Sequence, residues 1–390
     1  MSSIRSIPLL RDRQIGLSLV ELMVAMVLGL FLVAVLLQIF QSARLTYNMS
    51  DGLARAQENA RFAMEPLKRD LRMAGGNAIC AGEAIMPNIR INPAAMPEVA
   101  ALLARELAVQ GWEFDGTGAN TEFEFDPAEM DADANDWSNG LSDLPDFLDG
   151  RAVAGSDVLA LRVVGLPFAD ITGCNNNNVN SANIGTCSRA NNGNTPPVAH
   201  GVTQGTIWAA ADCGSGFVDI CRQTNAGSAT NLNCAPGGGN IGLAPGSTWD
   251  IRYGNQTEFY LPQVNYYYVG ASATDNNRRA LFRASNCIGS DVAAGCLVEE
   301  IAEGIDSLQL FFRIDGDADL YTADAIPDNN WTRVRAVVVN LLASSPTQVD
   351  AGALPRTFAM EEGLGFAVND RSVREVYSTT VTLRNRITVH

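Results

Sequence analysis

The chain has 390 residues, 47% of them hydrophobic, which is enough apolar material for one large domain or two modest ones. Its formal net charge is −16 and it contains a single lysine, so the clustered basic residues that bind phosphate backbones are missing. Nucleic acid is therefore excluded as a main partner. Only His200 and His390 are present, which leaves zinc sites and histidine-based catalysis almost nothing to use.

A segment near the N-terminus is apolar and long enough to cross a membrane. It extends from residue 17 to 40, and residues 22–37 carry no charged or hydrogen-bonding side chain. A helical rise of about 1.5 Å per residue matches this segment to a hydrocarbon core of roughly 30 Å. Glu21 is the exception, because a carboxylate inside such a segment costs roughly 2.5 kcal/mol or more. We therefore expect Glu21 to have a partner.

The residues before this segment predict its orientation and its processing. Arg5, Arg11 and Arg13 outnumber Asp12, so residues 1–16 should stay in the cytoplasm while the C-terminal bulk crosses the membrane. The polar leader ends at Gly16, ahead of the apolar run, and cleavage there would leave the helix on the mature protein. The alternative is an uncleaved signal anchor, in which the carboxylate only reaches the cytoplasmic interface.

The seven residues from Gly16 to Leu22, GLSLVEL, resemble the class III signal of type IV prepilins and type II secretion pseudopilins. The resemblance implies that prepilin peptidase cuts between Gly16 and Leu17 and methylates the new amine of Leu17. It also makes Glu21 the fifth mature residue, whose carboxylate would form an assembly salt bridge with the N-terminal amine of a neighbouring subunit. The chain departs from the family pattern at Leu17, where phenylalanine is most common.

The helix should continue beyond the membrane as an amphipathic rod. Apolar residues recur every three or four positions from Leu45 to Leu71, and the Gly75-Gly76 pair predicts the end of the helix. The blocks at residues 57–64 and 69–75 are similar to the helix-to-domain junction of the PilW family of minor pilins. We interpret the charged residues of these blocks as a solvated or inter-subunit face.

The first part of the domain that follows the helix contains sequence patterns typical of a helix, a strand and an acidic turn. Residues Glu98 to Gln110 predict a short helix, and Ser156 to Val164 predict a strand bounded by glycines. Between them lies an acidic stretch in which Asp131, Asp133 and Asn135 resemble the opening of a calcium loop. The glycine and glutamate that complete such a loop are missing, so a solvated acidic turn is the preferred interpretation.

Eight cysteines follow the apolar segment, and their even number indicates disulfides formed in an oxidising compartment. Five of them lie between residues 172 and 246, which are rich in Asn and Gly and predict long stapled loops around two strands, 206–211 and 217–223. Nearness along the chain suggests four pairs, although many other pairings are possible. These pairs are Cys174–Cys187, Cys213–Cys221, Cys287–Cys296 and, from the remainder, Cys80–Cys234.

The last 140 or so residues carry the clearest strand pattern and predict an antiparallel sheet packed on the long helix. The predicted strands are 258–269, 279–283, 305–314, 332–342 and 376–384. The blocks at 304–309, 315–319 and 331–337 again resemble PilW-like minor pilins. Asp315, Asp317 and Asp319 alternate in one of them, so they could converge on calcium or form a plain acidic hairpin turn. Beyond this weak calcium candidate, no cofactor is expected.

No phosphate loop, dinucleotide fingerprint or nucleophile elbow is present, so a structural protein is preferred to an enzyme. The resemblance implies a minor pilin that helps to prime type IV pilus assembly, sits in or near the tip complex and supports twitching motility. Other minor pilins, the major pilin through the long helix, prepilin peptidase and a tip adhesin are the implied partners. The alternatives are a type II secretion pseudopilin and, in a different class, a signal-anchored periplasmic hydrolase.

The sequence thus predicts an α+β protein with the type IV pilin fold, in which a long N-terminal helix packs on an antiparallel sheet with disulfide-stapled loops. The expected parts are a leader (1–16), a membrane or filament-core half of the helix (17–40), an amphipathic half (41–76) and a sheet domain (77–390). The protein would reside in the inner membrane with its C-terminal domain in the periplasm, and would move to the extracellular pilus on assembly.

Overall fold

The structure is a computed structural model. It describes residues 18–75, 88–89, 91–92, 108–167, 171–175, 186–189, 204–212, 217–224, 226, 232, 234, 240, 258–285, 287, 296–348 and 355–383. Within these ranges the chain forms two compact units, Met1–Asp51 and Gly52–His390.

Helix α1 (Leu19–Met73) is continuous over 55 residues and contributes to both units. Gly75 follows it with a φ of +68°, a left-handed conformation that glycine adopts without steric cost, so the helix ends where the glycine pair predicted. Pro66 lies inside the helix and does not end it. In the second unit one face of α1 is buried. That face consists of Gly52, Ala56, Ala60, Ala63, Met64, Leu67, Asp70 and Leu71.

The strands form four sheets. In chain order they are β1 (Asn88–Ile89), β2 (Val109–Phe114), β3 (Glu122–Phe125), β4 (Trp137–Ser138), β5 (Val158–Pro167), β6 (Ile171–Asn175), β7 (Thr186–Arg189), β8 (Ile207–Asp212), β9 (Phe217–Arg222), β10 (Glu258–Ala271), β11 (Arg279–Ser285), β12 (Leu297–Glu303), β13 (Ile305–Ile314), β14 (Leu320–Tyr321), β15 (Val334–Gln348), β16 (Arg356–Ala359), β17 (Gly365–Val368) and β18 (Ser372–Thr382).

The largest sheet has nine strands in the order β1-β9-β8-β10-β5-β2-β4, with β11 and β12 added beside β10. A second sheet has the order β14-β13-β15-β18 and is antiparallel throughout. A small sheet, β16-β17-β3, and the β6-β7 hairpin complete the described strands. Two pairs are parallel, β1 with β9 and β3 with β17.

The main hydrophobic core lies where the buried face of α1 meets both larger sheets. It joins Leu67 and Leu71 of the helix to Leu308 and Leu310 of β13 and to Leu161 of β5. A separate cluster of eight buried residues fills the space between the second sheet and the small sheet, with Phe311 on one side and Phe366 on the other. The α+β class, with a long helix packed on antiparallel strands, is therefore as predicted.

Most strands predicted from β-branched and aromatic runs are present, and β13 has the predicted bounds. The predicted helix at 98–110 is wrong at its C-terminal end, because Val109 and Gln110 belong to strand β2, while residues 98–107 lie outside the described ranges. Gln110 and Gly111 pair with β5, so the register of a neighbouring strand overrides the local helical spacing. Strand β12 was not predicted.

The described disulfides correct part of the predicted pairing. Cys221 is bonded to Cys234, with their Cα atoms 5.7 Å apart, which excludes both Cys213–Cys221 and Cys80–Cys234. Cys221 lies in β9 and bonds to a cysteine 13 residues further along the chain, so closeness along the chain did not decide its partner. Cys287 is bonded to Cys296.

Cys174 and Cys187 are direct register partners in the β6-β7 hairpin. Opposed residues of an antiparallel pair have Cα atoms about 4.5 to 5.5 Å apart, within the span that a disulfide requires. This pairing stays a prediction, since the described disulfides are the other two. Cys80 and Cys213 lie outside the described residues.

Candidate functional site

Helix α1 begins with a reciprocal pair of hydrogen bonds between Ser18 and Glu21. The backbone N–H of Glu21 donates to the Ser18 hydroxyl at 3.2 Å, and the backbone N–H of Ser18 donates to Glu21 Oε2 at 3.2 Å. This capping box satisfies two backbone donors that the helix itself leaves unpaired. Within the single chain Glu21 thus bonds to Ser18, one helical turn away, while its predicted salt bridge with the N-terminal amine of a neighbouring subunit stays a prediction. Gly16 and Leu17, the predicted cleavage residues, lie outside the described ranges.

The N-terminal half of α1 has a wholly exposed apolar surface. Every residue from 18 to 51 is exposed, and the membrane-length apolar window has none of its residues buried. Phe31, Leu30 and Phe40 each expose about two-thirds of their surface or more. Such an all-round apolar helix is typical of a segment that is surrounded by lipid or by other apolar helices.

Asp70 anchors the C-terminal half of α1 to strand β10. Its side chain is 2% exposed, and Oδ2 accepts hydrogen bonds of 2.7 Å from Asn265 Nδ2 and from the Tyr267 hydroxyl. Arg283 of β11 places a guanidinium nitrogen 3.7 Å from the same oxygen, and Arg69 donates to Oδ1 at 3.3 Å. Burial and the adjacent Asp70 carboxylate raise the pKa of Tyr267, so its hydroxyl keeps the proton that it donates.

This anchor corrects the interpretation of the charged residues at 69–75 as a solvated or inter-subunit face for Asp70 alone, since Arg69 and Arg72 are exposed. Asp70 lies between Leu67 and Leu71 on the buried face, where an unpaired carboxylate would be costly. The spacing carried a signal, because Asp70 falls on the same helical stripe as those leucines. Its partners could not be inferred, since they are nearly two hundred residues away in the sequence.

Two further polar side chains tie the flanks of the same half of α1 to the sheets. Gln57 donates from Nε2 to Glu375 of β18 at 3.2 Å, and Asn59 donates from Nδ2 to the carbonyl of Glu303 at 2.9 Å. Because β18 and β12 belong to different sheets, the helix is held on both. The rotation of α1 about its axis is therefore fixed by three polar side chains as well as by the apolar core.

The acidic turn at 315–319 uses its carboxylates within the protein. Asp317 accepts the backbone N–H of Asp319 at 3.1 Å and the Tyr321 hydroxyl at 2.7 Å, and these bonds lower its pKa. Asp315 accepts a hydrogen bond from Arg335 at 3.3 Å. The carboxylates of Asp315 and Asp317 thus have separate protein partners. Throughout the described ranges, no group of three or more His, Cys, Asp or Glu side chains could hold a metal ion.

Asp133 also acts locally, as the N-cap of a short 3₁₀ helix, Ala134–Asp136. It accepts the backbone N–H of Asn135 at 3.0 Å, while Asp136 accepts the N–H of Asp133 at 2.9 Å. The stretch that resembled a calcium loop is therefore a capped acidic turn.

A buried pair of carboxyl groups lies where the two larger sheets meet. Asp157 accepts backbone N–H groups from Phe114 of β2 at 3.1 Å and from Leu310 of β13 at 2.8 Å. Glu113 accepts the Thr117 hydroxyl at 3.2 Å, and its other oxygen has no hydrogen-bond partner. Burial, followed by the charge of Asp157, raises the pKa of Glu113 well above its ordinary value, and burial also raises that of Asp157. The two N–H donors favour the ionised form of Asp157 and so oppose the rise in its pKa.

Comparison with known families gives two matches. Residues 266–385 match the profile of the type IV pilus-assembly protein W family, and residues 11–37 match the prokaryotic N-terminal methylation motif. A solved type IV-like pilin from Thermus thermophilus shares 16% identity over 48% of this chain and 87% of its own, with a TM-score of 0.21. That score is too low to support a structural argument. Comparison with curated proteins gives no match.

Proposed function

We propose that the chain is a minor pilin of the PilW family, because residues 266–385 match the profile of that family and residues 11–37 match the prokaryotic N-terminal methylation motif. In this role it helps to prime pilus assembly and sits in or near the tip complex. It thereby supports pilus biogenesis and twitching motility. The single observation that carries the proposal is the combination, in one helix, of an exposed apolar half with a half that is anchored to a folded domain.

The proposal gives each half of α1 a separate task. The apolar half is stored in the inner membrane, with the C-terminal domain in the periplasm, and then packs against the major pilin and other minor pilins. Prepilin peptidase cuts between Gly16 and Leu17 and methylates the amine of Leu17. A tip adhesin is a further partner. A type II secretion pseudopilin is the second candidate, since the same signal serves both systems.

Glu21 has the central role in assembly. Its capping box with Ser18 pairs the carboxylate with a backbone donor of the same subunit, and the described residues provide no basic side chain that bonds to it. A neighbouring N-terminal amine would provide that charge in a low-dielectric filament core, where opposite charges attract strongly. We therefore expect Glu21 to exchange an internal partner for an external one when the subunit joins the filament.

The test compares Glu21→Ala with Ser18→Ala and with Glu58→Ala. Glu58 is exposed on the C-terminal half of the same helix. Membrane fractions and sheared pili are assayed for the chain, and mass spectrometry measures its N-terminal peptide. We expect all three variants to be cleaved and methylated at Leu17, and only Glu21→Ala to be lost from the pili. Assembly of Glu21→Ala at the wild-type level, or a wild-type chain that is absent from pili, would contradict the proposal.

A further inference from the structure

Strand β18 leaves one long edge of the second sheet open among the described residues. It is the terminal strand of the order β14-β13-β15-β18, and its strand partner is β15. Its first residues lie beside β16, where Arg356 donates to the carbonyl of Ser372. Its second half, Ser378–Thr382, pairs with β15 in regular register, because the register shift in this pair falls between Ser344 and Gln348.

The direction of the main-chain groups follows from the antiparallel ladder. The N–H of Leu383 donates to the carbonyl of Arg335 at 2.8 Å, so this pair is hydrogen-bonded. In an antiparallel pair such residues alternate with residues whose N–H and C=O point away from the partner strand. Ser378, Thr380 and Thr382 are the residues that point away, and each is exposed. They present three donors and three acceptors, one of each per residue, at the spacing of a strand.

The other terminal strands of the described sheets are short or charged. β1, β4 and β14 have two residues each, and the two strands of the β6-β7 hairpin have five and four. β12 has seven residues and carries three glutamates, β3 has four with two glutamates, and β16 has four with an arginine. Short strands and edge charges are the usual means by which proteins prevent pairing with a second chain. Between Val376 and Leu383, by contrast, β18 has no charged residue and no proline.

We propose that the Ser378–Thr382 edge of β18 is a docking site at which an extended segment of a different pilin subunit adds as a further strand. The inference rests on the proposed function, because the partner is taken from the same assembly. An extended main chain is the ligand that matches three donor–acceptor pairs at strand spacing. The uncharged edge in a protein of net charge −16 selects a segment of small or β-branched uncharged residues rather than a charged one.

The test uses the full chain in cells that assemble pili. A photo-cross-linking amino acid is placed at Ser378 or, as the matched control, at Leu297 of β12, which is 65% exposed on an edge rich in glutamate. After irradiation of sheared pili, mass spectrometry identifies the cross-linked peptide. We expect position 378 to give a product with an extended segment of another pilin, and position 297 to give none above background.

Edge variants then test whether the contact uses the main chain. Thr380→Pro removes one outward N–H, and Thr380→Val keeps the main chain and the β-branched shape. We expect Thr380→Pro to lower the yield from position 378 by about tenfold and Thr380→Val to preserve it, with equal circular dichroism and thermal midpoints in the two purified variants.

Three results would overturn the inference. The first is a yield of cross-linked product at position 378 that is no higher than at position 297. The second is a cross-linked product formed with a second copy of this chain or with its own residues 384–390. The third is an unchanged yield of cross-linked product in a folded Thr380→Pro variant. If the chain is found in pili without the cross-link, strand addition fails and the proposed function stands. If the chain is absent from pili, both fail.

Discussion

Replacement of Asp70 with alanine should detach the C-terminal half of α1 from β10. The substitution removes the acceptor of two buried hydrogen bonds, from Asn265 and Tyr267, and leaves both donors without a partner. A hydrogen bond to a charged group contributes about 1.5 to 3 kcal/mol. Removing one member of a buried ion pair costs about 3 to 5 kcal/mol, and Arg283 lies 3.7 Å from Asp70 Oδ2. We therefore expect the free energy of unfolding to fall by about 3 to 5 kcal/mol.

The assay is urea unfolding of the mature full-length chain in detergent, followed by fluorescence of the buried tryptophans Trp112 and Trp208. Glu65→Ala is the matched control, because Glu65 is exposed on the same half of α1 and should change stability by less than about 0.5 kcal/mol. Tyr267→Phe, alone and combined with Asp70→Ala, completes a double-mutant cycle. A coupling energy of about 1 to 3 kcal/mol is expected between these two residues.

Hydrogen exchange locates the effect. Amides of residues 56–71 should exchange faster in Asp70→Ala than in the control, while those of β15 should change less. A loss of less than about 1 kcal/mol, or additive effects of the two substitutions, would refute the idea that Asp70 anchors the helix through Tyr267.

Two further predictions concern titration and disulfides. Burial raises the pKa of both Glu113 and Asp157, so the folded state holds protons that the unfolded state releases. The contribution of this pair to stability is therefore fully present below about pH 4 and declines as the pH rises through the raised values. The thermal midpoint should fall between about pH 5 and pH 8, and Glu113→Gln should flatten that fall; a wild-type profile that rises over this range would contradict the assignment. Cys80 and Cys213 should form a disulfide, because they remain after the two described disulfides and the predicted Cys174–Cys187 pair, and because they precede the parallel strands β1 and β9. Non-reducing peptide mapping that links either cysteine to another one would exclude this disulfide.

The helix was the most predictable element, because its apolar residues recur at the 3.6-residue period of an α-helix. That period gives the buried stripe of Ala56, Ala60 and Leu67 and the end of α1 near Gly75. It could not give the partners of Asp70, since these depend on which strand packs above the helix. The long β-branched strands β13 and β15 were also predictable from local composition.

Elements defined by distant pairing were not predictable from local pattern. Strands β3 and β17 have four residues each, and they pair in parallel although more than two hundred residues separate them. Neither run is long enough to be distinguished from a loop by periodicity. The bond between Cys221 and Cys234 was missed for a similar reason, since nearness along the chain is a poor guide to nearness across a hairpin.

The candidate site divides in the same way. The leader, the apolar run and Glu21 form a linear motif, so a sequence alone suffices to propose their roles, whereas the open edge of β18 exists only once β15 has taken its other side. An edge is a property of the sheet, and no sequence pattern in 378–382 distinguishes it from an interior strand.

The anchoring of α1 has a mechanical consequence. A tension applied at the N-terminal half of a continuous helix is carried along the helix axis. Gln57 and Asn59 bond to the sheets within one turn, and Asp70 bonds about three turns further along. Because the Asp70 bonds lie in the last turn before Met73, they are the farthest from the applied force. Failure of the domain under load should therefore begin near Gly52 and reach Asp70 last.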